Sequence, residues 1–213
     1  GKTTAARLTL NEAKKRKNTP FTPESEFVEV DGATLRWDPR EMTNSLLGSV
    51  HDPIYQGARE GLARGGVPEP KTGLVTEAHG GLLFIDEIGE LYSMLQNKLL
   101  KVMEDKKVTF ESSYYDPAAA DIPLYIKKLF EEGAPADFIL IGATTRSPES
   151  INTAFRSRCA EVFFNPLNKE DIQQIVKSAV NKLKVDIESE IPEIISKYTI
   201  EGRTAINLLL DAY

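Results

Sequence analysis

Gly80-Gly81-Leu82-Leu83-Phe84-Ile85-Asp86-Glu87 decides the fold of this chain. Leu82 to Ile85 are apolar without alternation, the pattern of a strand buried on both faces of a parallel sheet. Two glycines lead into it, and two carboxylates stand at its far end. Ligands of open α/β sheets bind beyond the carboxyl ends of the strands, so the acidic pair sits where chemistry is expected.

The first residues of the chain give that pair its meaning. Gly1-Lys2-Thr3 is the tail of the phosphate-binding pattern G-x-x-x-x-G-K-S/T, the P-loop. In that pattern backbone N–H groups cradle phosphates, the lysine meets the β/γ-phosphates and the hydroxyl binds Mg²⁺. Gly1, Lys2, Thr3 and Thr4 are therefore expected at the phosphates of ATP, at the start of a helix running to Lys15 whose positive dipole end faces the nucleotide. The Leu82 strand then reads as a Walker B strand. Asp86 is expected to hold Mg²⁺ together with Thr3, and Glu87 to polarise the attacking water. The first loop residues and the strand beneath them do not precede Gly1, and no initiator Met is present. The expectation is an excerpt of a longer polypeptide, cut at both ends, that by itself binds nucleotide poorly.

Composition sets outer bounds. The 213 residues suffice for one sizeable domain with a small satellite, and 41% hydrophobic with 27% charged residues is ordinary for a globular protein. No apolar run approaches the ~20 residues of a membrane helix, and no signal peptide is expected. The single cysteine, Cys159, excludes an internal disulfide and fits a reducing, cytoplasmic setting. Two histidines, His51 and His79, give no basis for a zinc site. A net charge of −6 makes no electrostatic case for nucleic acid. Lys14-Lys15-Arg16-Lys17 reads as a solvated run at the C-terminal end of the first helix.

Further strands are expected at Phe27–Asp31, 107–111, 138–143 and Val162–Phe164, and helices at 40–47, 95–104, 124–131 and 151–158. Residues 48–73 carry six glycines and three prolines and read as a long surface loop. From Asn168 the pattern turns helical. Asn168 and Asp171 form a start signal, Ile172, Ile175, Val176, Ala179, Val180 and Leu183 make one apolar face, and two more helices follow.

Three strings carry a family resemblance: TEAHGGLLFIDEIGEL (76–91), LLGSVHDPIYQGA (46–58) and LIGATTRSPESINTAFRSRCAEVFF (140–164). In their chain order they resemble the AAA+ ATPase module of Lon-family proteases, in particular the bacterial LonB branch. The resemblance implies an α/β P-loop NTPase core, a parallel sheet flanked by helices, over residues 1–166. It implies a glycine-rich insertion near 48–75, a hairpin insertion near 107–137, and a small α-helical lid over 167–213. Thr145 matches the sensor-1 position, and Arg158, with Arg156 second, matches the arginine finger given to a neighbouring subunit. Arg203 matches sensor 2 of the lid. Ile54-Tyr55, or alternatively Leu46-Leu47-Gly48, would grip an unfolded chain in the pore of a hexameric ring.

Partners implied by the resemblance are further copies of the chain, unfolded or damaged proteins, and a Ser-Lys protease domain of the same polypeptide. No such protease domain occurs here, so peptide cleavage by this chain is not expected. A membrane tether outside the chain is compatible with the family. The alternative is a DNA motor or a transcription-activator ATPase. Gly142-Ala143-Thr144-Thr145-Arg146 also resembles the branch-migration ATPases, and the loop region resembles that of AAA+ activators.

Overall fold

In the computed structural model, residues 1–34, 38–51, 67–119 and 122–212 are described. The chain divides into two compact units, Gly1–Glu161 and Val162–Tyr213.

The first unit is built on a parallel sheet in which β4 (Leu82–Asp86) lies between β1 (Phe27–Asp31) and β7 (Ile139–Gly142). Phe27 pairs with Leu82 and Asp31 with Asp86, while Leu82 pairs with Ile139 and Ile85 with Gly142. All three strands thus end at one edge, which carries Asp86. The central position explains the unbroken apolar run. Leu82 and Phe84 point to the face covered by α1 (Lys2–Ala13), where they meet Ala6 and Leu10. Leu83 and Ile85 point to the other face, into a larger core with Met42, Leu46, Leu95 and Leu99. All four strand residues are at most 1% exposed.

The helix α1 is held onto the sheet through an aromatic stack. The Arg7 guanidinium lies 4.4 Å above the Phe27 ring and pairs with Glu29 at 2.6 Å. Phe27 in turn stacks on Phe84 at 5.8 Å. The other face is covered by α2 (Pro39–Leu47), α3 (Leu74–Glu77) and α4 (Ser93–Asp105). Asp38 caps α2, accepting the Arg40 N–H at 2.7 Å, with Pro39 at the first helical position where its missing N–H costs nothing.

Two small antiparallel ribbons leave this core. The first pairs β2 (Gly48–His51) with β3 (Glu69–Thr72), so the stretch expected as a loop begins and ends in paired strands. Pro70 sits opposite Val50 on a two-stranded ribbon, a place where a missing donor is tolerated. The second pairs β5 (Lys107–Val108) with β6 (Ala134–Pro135), and α5 (Leu124–Glu131) lies between them in the chain. The strand expected over 107–111 therefore shrinks to two residues. The helix expected over 151–158 is reduced to the short α6 (Thr153–Arg156), preceded by a 3-10 turn at Pro148–Ser150.

Val162-Phe163-Phe164 corrects the reading most clearly. Its β-branched and aromatic residues read as a closing strand, but the segment is irregular, with Val162 77% and Phe163 74% exposed, and it belongs to the second unit. Propensity alone supplies no ladder partner.

The second unit packs α7 (Lys169–Leu183), α8 (Ile191–Tyr198) and α9 (Gly202–Ala212) around Ile172, Val176, Ile195, Ala205 and Leu209. Asn168 and Asp171 form a reciprocal capping box: the Asp171 N–H reaches Asn168 Oδ1 at 2.7 Å, and the Asn168 N–H reaches Asp171 Oδ2 at 3.0 Å. Asn168→Ala removes one half of it and is expected to destabilise this unit by about 1 kcal/mol. Urea unfolding followed by circular dichroism checks this, and an unchanged midpoint would contradict it. Among the described residues, no helix is long and apolar enough to cross a membrane.

Candidate active site

The buried strand β4 delivers its carboxylates to the edge where β1 and β7 also end. Asp86 is the last strand residue, and its Oδ1 accepts the Glu87 N–H at 3.1 Å. Glu87 turns the chain in the left-handed region, φ +48°. A non-glycine residue held there costs on the order of 1 kcal/mol, and such strain gathers at functional sites. The turn is fixed from outside, because the Ile88 N–H donates to Ala143 C=O at 2.9 Å and the Ala143 N–H to Ile85 C=O at 2.8 Å. On the other flank, the Gly32 N–H donates to Asp86 C=O at 2.8 Å. A Cβ at Gly32 would stand 2.7 Å from Glu87 C=O, so only glycine lets β1 exit this close.

The Glu87 carboxylate faces Thr145, just past β7. The Thr145 N–H donates to Oε2 at 3.1 Å, and its hydroxyl lies 3.1 and 3.2 Å from Oε1 and Oε2. One hydroxyl proton serves one oxygen at a time, so one lone-pair direction on the carboxylate stays available. The Lys2 Nζ donates to Thr144 C=O at 3.2 Å. An ammonium, a carboxylate and a hydroxyl thus converge where three strands end. Asp86, Glu87, Lys2 and Thr3 are all half-buried, sheltered enough to strengthen charge interactions yet open to a ligand. Gly1 caps α1 and its carbonyl accepts the Ala5 N–H at 3.0 Å, while Thr4 is exposed in the first turn.

The arginines lie elsewhere in the first unit. Arg156 closes α6 and meets Glu161 through both Nε and Nη2 at 2.9 Å. Arg158 Nη1 donates to Ala154 C=O at 2.9 Å, and its Nη2 reaches Glu104 on α4 at 3.1 Å. Its side chain remains 51% exposed, so such a pair contributes little stability and is easily exchanged. Arg203 is exposed in the first turn of α9, in the second unit. Ile54 and Tyr55 lie outside the described residues. Their alternative is corrected: Leu46 and Leu47 are 0% and 7% exposed and belong to the core, so they cannot grip a passing chain. His79 is structural, with Nδ1 accepting the Asp137 N–H at 3.1 Å. Burial and the Glu161 carboxylate push the Cys159 thiol up, the opposite of an activated nucleophile.

Several contributors escaped the sequence reading. Thr144 acts through its carbonyl, which side-chain identity does not encode. Arg146 pairs with Glu90, clamping the turn after Glu87 to the exit of β7. Gln96 is 1% exposed within an apolar stripe, a polar residue where leucine would be expected.

A lysine at the head of a helix, with strand-end carboxylates on a parallel sheet, is the arrangement of a P-loop NTPase core. The sigma-54 interaction domain family matches residues 1–111. Lon protease 2 of Bacillus subtilis is 51% identical over 209 residues, covering 98% of this chain and 38% of that protein. Two solved structures share the fold. NtrX of Brucella abortus in complex with ATP superposes with a TM-score of 0.60 at 19% identity, over 97% of this chain and 43% of that one. RuvB of Thermotoga maritima (the P216G mutant) gives a TM-score of 0.51 at 22% identity, over 87% and 45%. The chain belongs to the sigma-54 interaction domain family. It spans about 38% of the length of the Bacillus relative.

Proposed function

We propose that this chain is the ATPase motor of a LonB-type ATP-dependent protease, coupling hydrolysis to the unfolding and translocation of protein substrates into a proteolytic chamber. The observation that carries the hydrolytic reading is the convergence of Lys2, Glu87 and Thr145 at the strand ends. The Lon likeness over nearly the whole chain carries the protease reading.

Roles follow from chemistry. Lys2 neutralises phosphate charge beside the backbone of Gly1, Thr3 and Thr4. The Thr3 hydroxyl and the Asp86 carboxylate are hard oxygen donors that fit Mg²⁺, which takes one or two carboxylates and shares the rest of its shell with phosphate and water. When bound, Mg²⁺ supplies charge neutralisation at the phosphates. Glu87 accepts a proton from the attacking water, and Thr145 orients that carboxylate and reads the terminal phosphate. Arg158, or Arg156, stabilises transition-state charge at a neighbouring copy's site, which makes turnover depend on a ring, most simply a hexamer. Arg203 stands where a helix dipole disfavours a cation, so a phosphate partner accounts for its place. The second unit then serves as a lid, and Ile54-Tyr55 as the substrate grip.

ATP-dependent degradation of casein by the full-length protein tests this directly. Loss of degradation in Glu87→Gln is the expected result; degradation without ATP, or none at all, would count against it. A transcription-activator or branch-migration motor is the second reading, and the sigma-54 interaction domain match favours the first of these. Duplex-DNA affinity measured between 50 and 200 mM salt decides it, because a DNA motor loses affinity steeply over that range, about 10³–10⁵-fold for several phosphate contacts.

A further inference from the structure

We propose that Gln96 is a positioning residue that sets the arginine-bearing helix α6 against the turn leaving Glu87, and so governs hydrolysis in the neighbouring subunit. This rests on the reading of Arg158 or Arg156 as a finger given in trans.

Gln96 lies on the buried face of α4 with Leu95, Leu99 and Leu100. Both ends of its amide are used. Nε2 donates to Leu91 C=O at 2.9 Å, and Oε1 accepts the Asn152 N–H at 2.9 Å. Leu91 closes the turn that starts at Glu87: the Leu91 N–H bonds Ile88 C=O at 3.2 Å, and the Glu90 N–H bonds Glu87 C=O at 2.8 Å. Asn152 is the cap of α6, its Oδ1 taking the Ala154 N–H at 2.9 Å. Its Nδ2 donates to Asn97 Oδ1 at 2.8 Å, next to Gln96 in the chain. One buried amide therefore joins the exit of the Asp86–Glu87 strand to the start of the helix that carries Arg156 and leads to Arg158.

The link matters because α6 has only four residues. A single turn has no stability of its own and takes its orientation from what holds its ends. Phe155 anchors it in the core, but one buried ring leaves rotation about that anchor. The Gln96–Asn152 and Asn97–Asn152 bonds remove that freedom. Leucine at 96 would pack equally well and would leave the cap unheld. Small errors in placing a charge at a reacting centre are expensive: about 1 Å of misplacement costs up to ~10²-fold in rate.

The test uses the full-length protein and subunit mixing. Gln96→Met keeps the volume and removes both hydrogen bonds. It is expected to lower kcat for ATP about 10–100-fold, with affinity for a fluorescent ATP analogue within about twofold. A Gln96→Met subunit keeps its own Glu87 but presents a misplaced arginine, whereas a Glu87→Gln subunit has a dead site and a sound arginine. Rings reassembled from both are therefore expected to recover turnover above the sum of the parents. A merely structural role for Gln96 lowers Tm and gives no such recovery.

Arg158→Ala and Arg156→Ala, each mixed with Glu87→Gln, serve as the reference. If one of them complements and Gln96→Met does not, the positioning role is overturned while the finger in trans stands. If neither complements, the trans reading falls and this proposal with it. Should Gln96→Met fail to fold, exposed Asn97→Ala takes its place, with an expected loss of about 3–10-fold that Glu87→Gln subunits restore. Full turnover in Asn97→Ala, or a loss without restoration, would overturn the proposal.

Discussion

Glu87→Gln is expected to lower ATP turnover by about 10²–10⁴-fold, the range a positioned general base contributes, while ATP binding persists. The substitution keeps the shape of the side chain. An amide oxygen still accepts from Thr145, which now meets the carboxylate at 3.1–3.2 Å, but the amide cannot take a proton from water. Lys2, Thr3 and Asp86 are untouched, so the phosphate contacts remain. Single-turnover hydrolysis and the Kd of a fluorescent ATP analogue separate the two effects. A loss below about tenfold would remove Glu87 from the role of base and leave Asp86 as the acid to examine.

Phe84→Ala should carry the largest stability cost, about 3–5 kcal/mol. Phe84 is 0% exposed on the sheet face under α1, against Ala6 and Leu10 and stacked on Phe27 at 5.8 Å. Its removal opens a cavity beneath the helix that carries Lys2, so nucleotide affinity falls along with the unfolding midpoint. Urea denaturation of the variant, with and without ATP, measures both. Phe163→Ala is the contrast: at 74% exposure in an irregular segment it should stay within about 0.5 kcal/mol of the parent. Equal effects at the two phenylalanines would contradict the assignment of the core.

The sequence disclosed those parts in which the side chain itself carries the structural signal. Leu82–Ile85 was readable because a central parallel strand tolerates no polar face. The Asn168–Asp171 box was readable because a cap has a fixed spacing. The same logic failed at Val162–Phe164, where β-favouring residues lie outside any ladder. It also failed at Leu46-Leu47, whose exposure depends on how α2 packs and not on the glycine that follows. At the candidate site, Lys2, Asp86 and Glu87 stand out from motif and spacing and Thr145 from the family resemblance; the structure puts Thr145 within hydrogen-bond distance of the Glu87 carboxylate. Thr144 was missed because it works through its backbone. Gln96 and Asn152 were missed because their partners lie 56 residues apart in the chain, and only the folded core brings them together.

The most direct measurement is steady-state ATP hydrolysis by the full-length protein, titrated with unfolded casein in parallel with Glu87→Gln. Turnover that rises with casein and vanishes in Glu87→Gln is the expected result for a protein-translocating motor. Turnover indifferent to casein but raised by duplex DNA would contradict it and place the chain among the DNA motors.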